Sequence, residues 1–244
     1  MKRILLFILF VGFSQNSIAQ DYIYETITIR AKPGKLLELI DHIKDDIRNH
    51  EEYGIEKPYL MRHSQGDQWD LLLMIPVGEN LESFFSVSSV DMRSKSRTLN
   101  QSYGSKYYEL VSYQEELFVY GPPLNIFKDR FENFDYYHVE MFIALAGKQA
   151  ELLKEREMEN VYLKEIDRGE NLIFTKIMGS EIDIFTLGFY RDIKHFAESA
   201  DIPLDVEDKA AKVAGFEGVN YIGSYLRSLL LKHNDTLAGA VRLD

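Results

Sequence analysis

Residues 22–40 read YIYETITIRAKPGKLLELI, and the change of period within this stretch decides the fold. From Tyr22 to Arg30 the chain alternates, with Ile23, Glu25, Ile27 and Ile29 on one side and Tyr22, Tyr24, Thr26 and Thr28 on the other. That is the period of a half-buried strand. Pro33-Gly34 ends it, and Leu36, Leu39, Ile40, Ile43 and Ile47 then recur at helical spacing among charged residues. An amphipathic helix is therefore expected on the isoleucine side of the sheet. Two further strands, Pro58 to His63 and Gln68 to Val77, are joined by Ser64-Gln65-Gly66-Asp67, which carries the Gly and Asp of a hairpin turn.

The same order returns at one constant spacing. Adding 113 carries Gly34, Lys35, Glu38, Gly66 and Asp70 onto Gly147, Lys148, Glu151, Gly179 and Asp183, as expected of two copies of one folding unit. In the second copy Tyr137, Val139, Met141, Ile143 and Leu145 alternate with Tyr136, His138, Glu140, Phe142 and Ala144. The apolar faces of the two strands match only at an offset of 114, so Ala144 to Lys148 is expected to be a turn one residue shorter than its counterpart. A helix over Lys148 to Asn160 and strands over Leu172 to Ile177 and Ile182 to Phe189 complete the parallel. Beyond this the copies diverge. The first closes with a strand, Glu116 to Tyr120, and the boundary signal Gly121-Pro122-Pro123. The second has helical segments at Asp192 to Ala200, Lys209 to Ala214 and Ile222 to Lys232, then a last strand, Thr236 to Arg242. The expected organisation is a leader over 1–19, a first unit over 20–123 and a second over 124–244.

The leader rests on Lys2 and Arg3, the apolar run Ile4 to Phe13, and small residues at Ser17 and Ala19, the pattern of a secretory signal peptide cleaved after Ala19 or Gln20. The apolar run is too short to span a bilayer, so a periplasmic or secreted protein without a membrane span is expected. Cysteine is absent and the net charge is −11. The first excludes disulfides, thiol catalysis and iron–sulfur clusters. The second disfavours nucleic acid and anionic membranes as partners. Dinucleotide, nucleotide, zincin and serine-hydrolase signatures are all missing.

An α+β unit ordered strand, helix, strand, strand, helix, strand is the ferredoxin-like arrangement. A tandem pair resembles the dimeric α/β-barrel superfamily, and the Gly-Lys opening of each first helix, in Lys32-Pro33-Gly34-Lys35 and Ala146-Gly147-Lys148, is similar to NIPSNAP-type and antibiotic-biosynthesis-monooxygenase-type members. That resemblance implies two four-stranded sheets enclosing a barrel, with helices outside. The superfamily spans haem proteins, cofactor-free oxygenases, isomerases and members without known activity, so fold alone does not fix function.

Under that arrangement the faces turned from the helices line a lumen, bringing together Tyr22, Tyr24, Thr26, Thr28, Tyr136, His138, Glu140 and Phe142. Tyr22, Tyr24, Thr26, Tyr136 and Phe142 are the candidate ligand-binding residues for a small apolar or aromatic molecule. His138 and Glu140, two apart on one strand, are the candidate catalytic pair, the carboxylate holding the imidazole's tautomer. Satisfied, purely structural roles for both stand beside this reading. Four functions stay open: a ligand-binding protein, an oxygenase- or isomerase-like enzyme using His138 and Glu140, a haem-binding protein like the chlorite-dismutase-like members, and a protein-interaction module. No cofactor or metal is expected. His42, Asp46 and His50 share a helix face, read as bordering solvent, and His195 and His233 lie in the half that supplies the axial ligand of chlorite-dismutase-like haem members, without a motif of their own. Trp69, the only tryptophan, maps onto Ile182 and reads as a packing residue first and a ligand-stacking residue second. A homo-oligomer is left open.

Overall fold

The computed structural model describes residues 22–98 and 103–243; the expected leader lies outside the described residues. The chain runs β1 (Tyr22–Ala31), α1 (Leu36–Glu52), β2 (Tyr59–Gly66), β3 (Leu71–Gly78), α2 (Leu81–Phe84), α3 (Val87–Thr98), α4 (Tyr103–Leu110) and β4 (Val111–Gly121). After α5 (Leu124–Asn133) come β5 (Tyr136–Ala144), α6 (Gln149–Glu165), β6 (Leu172–Gly179) and β7 (Ile184–Tyr190). Then follow α7 (Ile193–Ala197), α8 (Leu204–Val213), α9 (Val219–Leu229) and β8 (Leu230–Val241).

The strands close into one barrel in the order β1-β3-β2-β8-β5-β7-β6-β4, and every neighbouring pair is antiparallel. Each half contributes four adjacent strands in the same internal order, β4-β1-β3-β2 and β8-β5-β7-β6. The halves meet along two seams, β2 with β8 and β4 with β6, so one chain completes the barrel. Gly66 and Gly179 sit on these seams at φ +120° and +117°. A Cβ at Gly66 would lie 2.1 Å from the Asp235 carbonyl oxygen, and one at Gly179 2.4 Å from that of Glu116. Only glycine lets the strands approach so closely there.

The isoleucine face of β1 packs on α1 as expected: Ile29 joins Leu39, Ile40, Ile43 and Ile47 in an apolar layer outside the barrel. The opposite face looks inward, where Tyr24 joins the lumen core. In β5 the faces are the reverse of those expected. Tyr137, Val139 and Met141 belong to the lumen core, while Phe142 and Ala144 pack outside with Leu152 and Leu226. The offset is 113 here too, and no residue is missing from the second turn. Lys35 N–H donates to Lys32 O and Lys148 N–H to Leu145 O, both at 2.9 Å, with Gly34 and Gly147 at φ +77° and +79°. Matching the strands by hydrophobicity misled because the second lumen face is the apolar one, whereas polar groups are buried on its outer face.

Two other expectations differ. α9 ends at Leu229 and β8 begins at Leu230, so His233-Asn234-Asp235-Thr236 lies in a strand. These turn-forming residue types are accommodated because β8 pairs with β5 throughout, and Asn234 Nδ2 also donates to Asp67 Oδ2 at 2.8 Å. The α1 face carrying His42, Asp46 and His50 is buried, since α3 and α4 cover it.

Candidate functional site

One end of the lumen is sealed. α5, which links the halves, inserts Phe127 and Phe131 among Tyr24, Tyr59, Tyr137, Phe174 and Phe189. Ring centroids lie 4.9 Å apart for Tyr59 and Phe127 and 5.3 Å for Phe131 and Tyr137. The Tyr24 hydroxyl donates to Pro122 O and that of Tyr137 to Phe134 O, both at 2.8 Å. Burial pushes all three buried phenols up, Tyr59 to about 12, so they remain neutral. Tyr22 packs against this plug, and Thr26 donates to Leu117 O. The ligand-binding residues expected at this end are spent on packing and internal bonds.

The other end is open. A cavity of about 370 Å³ is floored by Thr28, Trp69, Met141 and Ile182 and rimmed by residues of both halves, including Arg30, Asp67, Glu181, Lys232 and Asn234. Trp69 and Ile182 are buried at equivalent positions of the two hairpins. Much of the rim is paired: Lys232 Nζ reaches Glu181 at 3.4 Å, and Asn234 holds Asp67. Two donors are not. Trp69 Nε1 is buried without a hydrogen-bond partner, its ring set edge-on to His63 at 5.8 Å. Among the described residues Arg30 makes no ion pair. A buried unpaired donor is costly, so its presence on a residue that lines a cavity is a binding signal.

His138 and Glu140 lie outside the lumen, together with Phe142 and, by alternation along β5, Tyr136. The sequence expectation of a single lumen site is therefore corrected: strand parity puts all four on the helix side. There they meet His233, weighed from the sequence only as a haem-ligand candidate, and residues such as Arg156 and Thr186 that the sequence reading did not single out. Glu140 and Asp235 are cross-strand partners on β5 and β8. His138 Nε2 lies 3.3 Å from Asp235 Oδ1, and His233 Nε2 lies 3.2 Å from the same oxygen and 3.5 Å from Glu140 Oε1. Glu140 Oε2 accepts from Thr186 at 3.0 Å and is 3.7 Å from Arg156 Nη1. Arg156, fully buried, is gripped by Glu155 through Nε at 2.6 Å and Nη2 at 2.8 Å, and by Glu159 at 2.7 Å. Its guanidinium also sits over the Phe142 ring, 4.7 Å from the centroid. A cleft lined by Gln65, Gly66, Phe196, Thr236 and Leu237 opens onto this cluster.

The charges answer one another. Burial would push Glu140 up, but His233, His138 and Arg156 outweigh it and hold the carboxyl below its ordinary value. Burial would lower His233, yet Asp235 and Glu140 raise it to about 9, and the same two carboxylates raise His138. The flanking imidazoles hold Asp235 well below the carboxylate range. For Glu159 burial dominates, pushing it up to about 7. A signal for this cluster was in the sequence: at the 113-residue offset the buried Ile43 corresponds to Arg156, a charge where the first half has a core residue.

Haem, which the resemblance to chlorite-dismutase-like proteins implied, does not fit the histidines offered for it. His195 Nδ1 accepts the Arg191 N–H, and its ring stacks with Phe134 at 6.4 Å. His233 lies face to face on Phe142, centroids 4.6 Å apart, with Nε2 between two carboxylates, a setting suited to a cation and not to an anionic macrocycle.

The architecture recurs in solved structures. An anthrone oxidase-like protein superimposes with a TM-score of 0.61 at 11% identity, over 91% of this chain and 92% of that one. A candidate monooxygenase of Fusobacterium nucleatum gives 0.53 at 10% identity, over 91% and 93%. A candidate chlorite dismutase gives 0.51 at 9% identity, over 92% and 96%. The protein thus has the α+β fold of the dimeric α+β barrel proteins. No protein-family model matches the sequence, and no curated protein matches it. At such identities the likeness concerns fold, and function must be argued from the site.

Proposed function

We propose that this is an exported protein, built from two tandem ferredoxin-like copies, that binds a small molecule with an apolar or aromatic body and a hydrogen-bond-accepting end in the open mouth of its barrel. The observation that carries the reading is a cavity of about 370 Å³ with Met141 and Ile182 at its floor and a charged rim, lined by a Trp69 whose buried Nε1 has no hydrogen-bond partner. The indole N–H would meet the acceptor, Met141 and Ile182 the body, and Arg30 at the rim a carboxylate or similar group. The two-copy reading is supported by the matched strand orders and matched glycine seams, and export by the leader pattern.

A native mass spectrum of protein purified from the envelope of its host tests both parts. The expected result is a chain beginning at residue 20 or 21, carrying the extra mass of one organic molecule. Because Trp69 is the only tryptophan, its emission then follows binding directly in titrations with aromatic acids and ketones. Saturable change in wild type, weakened at least about tenfold by Arg30→Ala, supports the reading, one lost charge-assisted bond corresponding to roughly 1.5–3 kcal/mol. A bare full-length mass with silent emission across the panel would overturn it.

A further inference from the structure

Glu140 and Asp235 stand directly opposite each other on β5 and β8, an arrangement that like charges make unfavourable unless a cation lies between them. Two imidazoles flank the pair, and their contacts have an unusual form. His138 Nε2 and His233 Nε2 approach Asp235 Oδ1 at 3.3 and 3.2 Å, and His233 Nε2 approaches Glu140 Oε1 at 3.5 Å. His233 Nε2 is nonetheless buried with no aligned hydrogen bond. Donor atoms around a tetrahedral ion with bonds of about 2.0–2.2 Å are separated by roughly 3.3–3.5 Å. The observed spacings are of that order, and the ligand atoms of His138, Glu140 and Asp235 all lie within 4.8 Å of one another.

We propose that His138, Glu140 and Asp235 bind a divalent metal ion of the zinc class, with His233 beside the Asp235 oxygen that His138 also approaches. Imidazole and carboxylate together suit zinc and its first-row neighbours better than calcium or magnesium, which prefer all-oxygen shells. The surroundings resemble those of a prepared site. Glu140 is held by Thr186 through the oxygen it does not turn toward His233. The His233 ring is clamped flat on Phe142, and the His138 ring meets Phe196 edge-on at 5.3 Å. Such outer contacts fix the orientation of ligands before the ion arrives. The cleft beside Phe196 and Gly66 gives the ion its entry. This site lies on the helix side of β5, apart from the barrel mouth, so it stands or falls independently of the ligand proposed there.

The test uses purified protein stripped with a chelator, titrated calorimetrically with Zn²⁺ and, in parallel, with Co²⁺ followed by visible absorption. Wild type should bind one equivalent at micromolar affinity or tighter, with the intense absorption of a four-coordinate cobalt site. His138→Ala and Asp235→Asn should each weaken binding at least about tenfold. Asp235 is exposed, so Asp235→Asn should fold normally, as an unchanged circular dichroism spectrum and Trp69 emission would show. His195→Ala, outside the cluster, should bind as wild type does. Absence of saturable binding below millimolar Zn²⁺, or affinity unchanged in both ligand variants, overturns the proposal.

Discussion

Asp70 and Asp183, 113 residues apart, make the same bond in the two halves: Asp70 Oδ2 accepts the N–H of Ala31 at 2.8 Å, and Asp183 Oδ2 accepts that of Ala144 at 2.9 Å. Their backbones match as well, Asp70 N–H donating to Ile29 O and Asp183 N–H to Phe142 O. Each carboxylate therefore ties the last residue of a first strand to the start of the third. Either Asp→Ala change leaves a strand-end N–H without its acceptor and should cost about 1–3 kcal/mol. Sharing no partner, the two costs should add. Urea unfolding of both single variants and the double variant measures this; strong non-additivity would contradict the independence of the two ties.

The glycines on the seams make a sharper case. At Gly66 and Gly179 an added Cβ meets backbone, not a side chain that could move aside. At Gly34 and Gly147 nothing lies within 4 Å, and only the positive φ is at stake. Gly66→Ala and Gly179→Ala should therefore each lower the melting temperature by roughly 4–8 °C, corresponding to about 2 kcal/mol in a chain of this size. Gly34→Ala and Gly147→Ala should cost about half as much, the ordinary penalty for a left-handed residue. Equal losses at all four positions would show that the seams tolerate separation.

How much of this was legible depends on which face of a strand is dry. In β1 the pattern Ile23, Ile27, Ile29 against Tyr24, Thr26, Thr28 marks the helix side correctly, because the lumen face there carries hydroxyls. In β5 the hydrophobic face, Tyr137, Val139 and Met141, is the lumen face, and the polar face lies beneath α6 with Arg156. Hydrophobicity cannot identify a face when polar groups are buried in mutual contact, and partners such as Asp235 and Arg156 are remote in sequence. The constant offset carried the missing information, since Tyr24 maps onto Tyr137 and Ile43 onto Arg156. The plug was illegible for another reason: α5 lies just past the Gly121-Pro122-Pro123 boundary, where the sequence reading assigned no element, and only barrel closure gives Phe127 and Phe131 something to fill.

Phe127 is fully buried, and its ring meets those of Tyr24, Tyr59, Phe174 and Phe189. Phe127→Ala should cost about 3–5 kcal/mol through lost contacts and the cavity left behind. The mouth is at the opposite end, so wherever the variant remains folded Trp69 emission and ligand response should be unchanged. A shift in Trp69 emission without loss of stability would mean that the two ends are coupled through the lumen and that α5 does not simply plug it.

The Arg156 cluster should set the pH dependence of stability. Glu159 titrates near 7 in the folded chain, against an ordinary value of 4.5, because burial disfavours its charged form more than Arg156 favours it. Between those values the folded state holds a proton that the unfolded state has released. Glu159 therefore contributes stability that is fully present below about pH 4.5 and is lost as pH rises through 7. Glu159→Gln keeps a neutral group of the same shape at every pH, so the variant's melting temperature should decline less than that of wild type between pH 5 and 8. Glu155 continues to hold the guanidinium in that variant, whereas Arg156→Met removes the cation and leaves Glu155 buried and unpaired, a change expected to cost about 3–5 kcal/mol. Calorimetric melting across that range separates these effects. Identical slopes in wild type and Glu159→Gln would show that Glu159 is already ionised throughout, its charge carried by Arg156 alone.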